Sequence, residues 1–263
     1  MESRRFKNLL GPLALAGLDS ILPPACVLCA SSELLAKPRQ SFCNLCLHSI
    51  LNSWPPKSVA CEFCGMPRPC EPVPPLDQPC YSCPAVPFAF DRVIALGIYQ
   101  SAIREGVVAA KRSKHAALAA AMGTLLGDVL VRRFTDGIPD RITSVPSHFL
   151  RRFHRRGVAG ASVIGASVAD RLGGKYTPLL RVTRAVKKQS MLPDVDRPAN
   201  VRDAFAMKRS YAFGKEFCIS DLHILLVDDV LTSGSTASEI ANVLKAAGAA
   251  SVTLAVVARA VRR

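Results

Sequence analysis

Four Cys-x-x-Cys pairs crowd into residues 26–83 and limit what the first third of this 263-residue chain can fold into. They are Cys26/Cys29, Cys43/Cys46, Cys61/Cys64 and Cys80/Cys83, with thirteen residues between the first two pairs and fifteen between the last two. Each pair turns two sulfurs toward one point, and two such turns on a short hairpin complete a tetrahedron around zinc. Sequential pairing makes one site of Cys26, Cys29, Cys43 and Cys46 and a second of Cys61, Cys64, Cys80 and Cys83. Interleaved pairing, the first pair with the third, stays open at this level. Cys70 falls outside the spacing and is expected to be no ligand; Cys218, far from the rest, is expected in the core. Four sulfurs per site leave no open position, so the metal is expected to be structural. Residues 53–87 are rich in proline and lack apolar periodicity. A bound structural zinc contributes on the order of 10–16 kcal/mol and would replace the missing core there.

Disulfides are the competing reading of the cysteines. The apolar segment at residues 9–22 is interrupted by Asp19, is too short to span a bilayer, and shows no clear cleavage pattern. It reads as an amphipathic helix within residues 1–22. A cytoplasmic, reducing location without a membrane span is therefore expected, and there metal binding is favoured over disulfides.

The formal charge of +14 is unevenly spread. Residues 1–90 carry a balance of +1 and residues 91–263 a balance of +13. The basic excess after residue 90 suits an anionic ligand, whether a polyphosphate or a nucleic acid, although basic residues also simply solvate surfaces.

From about residue 91 helical periodicity alternates with short apolar runs. Strands are expected at 92–99, 141–146, 223–229 and 251–258, and helices at 101–111, 115–133, 158–173 and from Ser235 to Ala249. That alternation predicts an α/β fold, a parallel sheet flanked by helices, with ligands at the carboxyl ends of the strands. Residues 23–90 read as a double zinc-ribbon module and 91–263 as the α/β domain.

The segment ILLVDDVLTSGST, residues 224–236, concentrates the chemistry. A buried strand delivers Asp228 and Asp229 at its tip, the chain turns through Gly234, and a helix begins near Ser235. Backbone N–H groups at a helix start, with the hydroxyls of Thr232, Ser233, Ser235 and Thr236, form a cradle for a phosphate. Two carboxylates beside that cradle would repel a second phosphate but accept hydrogen bonds from a diol. A sugar phosphate satisfies both. An ATPase reading needs a G-x-x-x-x-G-K-[ST] loop; the nearest candidate, Gly174-Lys175, has Ala169 and Tyr176 in the wrong places. A pure helix cap needs one acid rather than two, and closer to Ser235.

These residues resemble the signature of type I phosphoribosyltransferases, in which an acidic pair holds the ribose hydroxyls and the following loop holds the 5′-phosphate. Together with the paired cysteines, VPSHFLRRFHRRG (145–157) and Gln189, Arg197, Asn200, Val201 and Phe205, the chain resembles the ComF (competence protein F) family of phosphoribosyltransferase-like proteins. Val158, Ala159 and Gly160 stand where that family usually has an aromatic, Asn and Gln, and no ligand role is carried to them. The resemblance implies a type I phosphoribosyltransferase fold with an N-terminal zinc-ribbon module. It implies phosphoribosyl pyrophosphate as ligand, with magnesium bridging substrate oxygens. Asp228 and Asp229 would serve the reaction centre, and Thr232, Ser233, Gly234, Ser235 and Thr236 the 5′-phosphate. Arg151, Arg152, Arg155 and Arg156 would meet the pyrophosphate, and Arg184, Lys187, Lys188 and Gln189 resemble a mobile loop over the site. Enzymes acting on 6-oxopurines carry an acid where this chain has Thr232, which argues against hypoxanthine or guanine salvage. The family also implies a role in competence and DNA uptake, with single-stranded DNA and competence proteins as partners. Whether such a chain transfers, only senses, or binds nucleic acid with the same loop stays open at this level.

Overall fold

The computed structural model describes residues 25–32, 41–69, 75, 78–112, 115–135, 137–146, 160–186, 193, 196–209 and 217–261. The chain divides into two compact units, Met1–His48 and Ser49–Arg263. In the first, a tight turn carries Cys26 and Cys29, closed by the Ala30 N–H donating to the Cys26 carbonyl at 2.8 Å. Cys46 lies in the first turn of helix α1 (Asn44–Leu51), and Cys43 immediately precedes it. The expected helix within residues 1–22 lies outside the described residues, as do Cys70, residues 147–159 and residues 187–192.

The second unit begins with an antiparallel ribbon of β1 (Ser58–Ala60) and β2 (Pro67–Pro69), whose connecting turn holds Cys61 and Cys64. Then follow β3 (Arg92–Ile98), α2 (Ser101–Ala110), α3 (Ala116–Arg133), β4 (Arg141–Ser144) and α4 (Gly160–Leu172). Short elements β5 (Leu180–Val182), α5 (Arg197–Val201) and β6 (Phe205–Met207) precede β7 (His223–Leu231), α6 (Ser235–Ala246) and β8 (Ser251–Arg259). Strands β3, β8, β7 and β4 form one sheet in that order, every neighbouring pair parallel. The α/β expectation and all four of its strands are present, with ends shifted by a residue or two.

Period-two alternation explains why the central strands read as unbroken apolar runs. Ile224 and Leu226 of β7, with Val252, Leu254 and Val256 of β8, share one cluster with Ile240 and Leu244 of α6 and with Phe205 and Met207 of β6. The intervening Leu225, Val227, Ala255 and Val257 are equally buried, on the side where α3 and α4 pack against the sheet and each other. The antiparallel β5–β6 pair and α5 were not anticipated. Three-residue strands and a five-residue helix are too short to show a period.

Three further expectations change. Strand β7 continues two residues past the acidic pair, to Leu231, because β8 runs alongside to Arg259 and pairs with it there. Asp228 and Asp229 therefore lie within a hydrogen-bonded strand, not at its tip. Cys218 is exposed rather than in the core, just outside the start of the buried β7. At the other end of the motif, α6 stops at Ala246 rather than Ala249. Gly248 takes φ 98°, and Ala249 N–H reaches back to the Leu244 carbonyl at 3.1 Å. That is the left-handed Gly closure of a helix end.

Small residues let α3 and α4 approach closely. A Cβ on Gly123 would stand 2.6 Å from the Ile164 carbonyl oxygen, a backbone atom that cannot swing away. Helix propensity favours Ala over Gly by about 1 kcal/mol, whereas overpacking costs about 1–3 kcal/mol. Gly123→Ala is expected to be a net loss, lowering the urea midpoint without changing the slope of the unfolding curve.

Candidate functional site

The acidic pair and the turn after it are built by one strand–loop–helix unit. Asp228 pairs in register with Val256 across the β7–β8 ladder. Its Oδ1 accepts the Asp229 N–H at 2.8 Å. Asp229 reaches a shallow cleft bounded by Val107, Ala110, Met122, Ile164 and Val257, where Lys111 Nζ meets its Oδ2 at 3.3 Å. Loss of water around Asp228, and next the charge of Asp229, push the Asp228 carboxyl up to about 8; its backbone N–H contact and Lys111 oppose the rise only in part. Asp228 thus holds its proton well above the usual carboxylate range, while Lys111 lies against its neighbour.

Beyond Leu231 the chain turns through Thr232, Ser233 and Gly234. Gly234 sits at φ 82°, and a Cβ there would fall 2.3 Å from Phe88 Cε1. Backbone conformation and space therefore both require glycine. Ser238 N–H closes the first helical turn on the Gly234 carbonyl at 2.8 Å. Ser233 and Ser235 hydroxyls lie 3.1 Å apart. The first N–H groups of a helix lack intrahelical partners and carry its positive dipole end, which suits an anion. Asp228, Asp229 and Thr232 to Thr236 are thus brought into one short stretch.

Arg184 lies apart from this unit in the β5–β6 region, its guanidinium donating to the Arg202 and Ala185 carbonyls. Arg151, Arg152, Arg155, Arg156, Lys187 and Gln189 lie outside the described residues. Sequence reasoning missed Lys111, Phe88 and Arg259. Lys111 follows a helix like any surface lysine. Arg259 is one of several arginines near the C-terminus, and only its position at the end of an apolar strand set it apart.

The eight cysteines resolve into two groups with sequential membership. Within each of Cys26/Cys29/Cys43/Cys46 and Cys61/Cys64/Cys80/Cys83 all Sγ atoms lie within 4.8 Å of one another. Sγ separations are 3.7 Å for Cys29–Cys43, 3.7 Å for Cys61–Cys83, 3.5 Å for Cys64–Cys80 and 3.8 Å for Cys80–Cys83. These are far too long for a disulfide bond, and close to the roughly 3.8 Å edge of a tetrahedron of sulfurs at about 2.3 Å from a zinc. Burial raises the Cys26 and Cys61 thiols, but backbone N–H donors outweigh it and bring them down to about 6 and about 7. Burial and the neighbouring thiols drive Cys46 and Cys64 far up. Four thiolates in one place thus need a cation among them, and the donor sets fit a thiophilic metal ion.

The Phosphoribosyl transferase domain family model matches residues 158–263, the part of the chain holding the acidic pair and its loop. Over 235 residues the chain is 31% identical to the DNA utilization protein YhgH of Salmonella typhimurium, covering 88% of this chain and 95% of that protein. The chain belongs to the ComF family. The Escherichia coli K12 DNA utilization protein YhgH is 29% identical over the same share of each chain. With the parallel sheet and the two four-cysteine groups, this ComF protein has a phosphoribosyltransferase-type fold carrying an N-terminal ribbon module. Among solved structures, an allosteric regulatory enzyme of purine biosynthesis aligns with 53% of this chain and 26% of its own, at 21% identity and TM-score 0.35. A purine phosphoribosyltransferase from Pyrococcus horikoshii aligns over 51% and 80%, at 13% identity and TM-score 0.31. No helix among the described residues is long and apolar enough to cross a membrane.

The raised Asp228 carboxyl has a consequence for stability. Between its ordinary value of 3.8 and its folded value of about 8, the native state keeps a proton that the unfolded chain has released. Stability is then lost as pH rises through that window. The ligand-free protein is expected to melt at a lower temperature at pH 8 than at pH 5.5, and Asp228→Asn should flatten that dependence. An unchanged pH slope in Asp228→Asn would exclude this residue as its source.

Proposed function

We propose that this protein binds phosphoribosyl pyrophosphate at Asp228–Thr236 and transfers its phosphoribosyl group to a nitrogen nucleophile, releasing pyrophosphate. The observation that carries the reading is the juxtaposition of two acids on β7 with a glycine-turned loop opening α6. An isolated phosphate site has no use for two carboxylates beside it. A ribose 5-phosphate does.

In this reading Thr232, Ser233, Gly234, Ser235 and Thr236 hold the 5′-phosphate through backbone N–H groups and hydroxyls. The Asp228 and Asp229 carboxylates accept hydrogen bonds from the ribose hydroxyls. Magnesium, when bound with the substrate, supplies charge neutralisation for the pyrophosphate and takes most of its ligands from substrate and water. Lys111 occupies Asp229 in the ligand-free state and releases it as the diol arrives, which moves a positive charge toward the phosphates. As the ribose C1–oxygen bond breaks, positive charge grows on the sugar, and the adjacent carboxylates favour it electrostatically. Arg151, Arg152, Arg155 and Arg156 are assigned to the departing pyrophosphate, for which guanidinium forks are suited. Arg184, Lys187 and Gln189 are assigned to a segment closing over the site. Two structural zinc ions are assigned to the cysteine groups, in a module spanning residues 23–90.

The YhgH relatives are DNA utilization proteins by name, which favours a second reading, in which the same site serves DNA handling in the cytoplasm. There the protein senses phosphoribosyl pyrophosphate without turnover, or grips single-stranded DNA with its basic C-terminal part. Competence proteins would be its partners.

Calorimetry with phosphoribosyl pyrophosphate and magnesium, followed by pyrophosphate release across candidate bases, separates these readings. Binding with release supports transfer, and binding without release supports the sensor. Asp228→Asn/Asp229→Asn is expected to weaken binding at least about a hundredfold, from loss of two charge-assisted contacts worth about 1.5–3 kcal/mol each. Wild-type affinity in the double variant overturns the site assignment. Because the carboxylate form of Asp228 is the one that accepts the diol, affinity is also expected to rise from pH 6 to pH 9. Metal analysis should find two zinc ions per chain; fewer than about one refutes the assignment of two structural sites.

A further inference from the structure

The second cysteine group and the phosphate loop lie in the same compact unit, and two contacts bind them together. The first is Arg259, at the end of β8. Its side chain is buried, with the residue only 7% exposed. Nε donates to the Cys64 carbonyl at 2.7 Å. Nη1 donates to the Leu231 carbonyl at 2.9 Å, the Thr232 carbonyl at 2.7 Å and the Ala260 carbonyl at 2.8 Å. One guanidinium therefore joins a metal-ligand residue of the Cys61–Cys64 turn to the residues where β7 passes into the loop. Gly65, at φ 70°, lets this happen: a Cβ there would stand 3.3 Å from Arg259 Cδ.

The second contact reaches the other end of the loop. Phe88, five residues after Cys83, lies over Gly234 where any Cβ would be. It stacks on Phe90 with ring centroids 4.7 Å apart. The next residue, Ala89, donates its N–H to Ser238 Oγ in the first turn of α6 at 2.9 Å. The turn is also tied to the sheet edge, since the Val93 N–H donates to the Glu62 carbonyl at 2.7 Å and Arg92 meets the Glu62 carboxylate at 3.1 Å. The metal-binding segment thus holds the loop at its entrance through Arg259 and at its exit through Phe88.

We infer that metal occupancy of Cys61, Cys64, Cys80 and Cys83 sets the conformation of the phosphate loop, with Arg259 as the positioning residue that transmits it. Without an ion, four adjacent sulfurs no longer hold the 61–64 turn closed, and the Cys64 carbonyl leaves Arg259. A guanidinium at such a buried place then re-forms its contacts at the expense of the Leu231 and Thr232 carbonyls. The loop loses its fixed entrance. Binding linkage makes the effect reciprocal: an anion that requires the ordered loop must tighten binding of the metal by the same factor.

The test uses the full chain in a Cys29→Ser/Cys46→Ser background, where a chelator empties the second group alone. Hydrogen exchange at the amides of residues 232–236 reports the loop without reference to any substrate. Removing the metal is expected to speed that exchange at least about tenfold, a difference within the range of local opening energies. In Arg259→Gln the loop is expected to exchange fast with the metal still bound, and chelation should add little. Arg259→Lys, which keeps the charge but not the fork, should fall between. If Arg259→Gln does not fold, Arg259→Lys and the chelated parent still decide the matter. Loop exchange that ignores chelation, or responds equally in parent and Arg259 variants, overturns the inference.

A second arm rests on the phosphoribosyl pyrophosphate reading above. Phosphoribosyl pyrophosphate with magnesium is expected to raise the affinity of the second group for zinc, read by competition with a chelator, by about 5- to 150-fold, the usual span of coupling between sites. The gain in zinc affinity should vanish in Arg259→Gln. Fast loop exchange after chelation together with no binding by the metal-loaded parent would leave the coupling standing and refute the ligand. Binding without any change in loop exchange would do the reverse.

Discussion

Hydrogen bonding of β7 between β4 and β8 is the interaction on which the rest depends. Up to Val227 the strand is paired on both sides and buried on both faces, and from there to Leu231 it stays paired with β8, so whatever follows it is launched from a fixed point. Its extension to Leu231 carries two carboxylates inside the ladder rather than beyond it. The loop from Thr232 to Gly234 is then only three residues long before α6 begins. Such a short link between two packed elements holds the direction of the α6 N-terminus relative to the acids.

The cost of this arrangement falls on the acids. Adjacent carboxyls repel one another, and the raised Asp228 carboxyl and the Lys111–Asp229 contact are two ways the fold relieves them. In the proposed reading both are removed when the ribose hydroxyls take the acids instead.

The cysteine groups add stability of a different kind. The turn around Cys61 and Cys64 has no hydrophobic core of its own, yet it sits against Val93, Arg92 and Arg259 of the sheet. Buried Arg259 is satisfied by backbone carbonyls from the ribbon and from the end of β7 at once. A charged side chain placed in the interior needs every one of those acceptors. That requirement makes the ribbon and the loop parts of one structure.

Much of this protein was legible in its residues. Four Cys-x-x-Cys pairs, the run HILLVDD and the turn at Gly234 each carry a local physical constraint: sulfur spacing, burial on two faces, and a backbone conformation only glycine adopts cheaply. Local constraints of this kind determine the metal groups, the parallel sheet and the loop before any tertiary contact is known. The hairpin of β5 and β6 was not legible, since three residues cannot show a period. Nor were the sequential membership of the cysteine groups, the placement of the acids inside β7, or the exposure of Cys218 beside a buried strand. Lys111, Phe88 and Arg259 join the site across 118, 146 and 28 positions of chain, to Asp229, Gly234 and Leu231. Contacts at such separations leave no trace in local spacing, because they arise only when the sheet brings the ends of β3, β7 and β8 together. Sequence alone determined which chemical groups this protein has to work with; the tertiary structure decided which of them touch, because packing and the satisfaction of buried charge act between parts of the chain far apart in sequence.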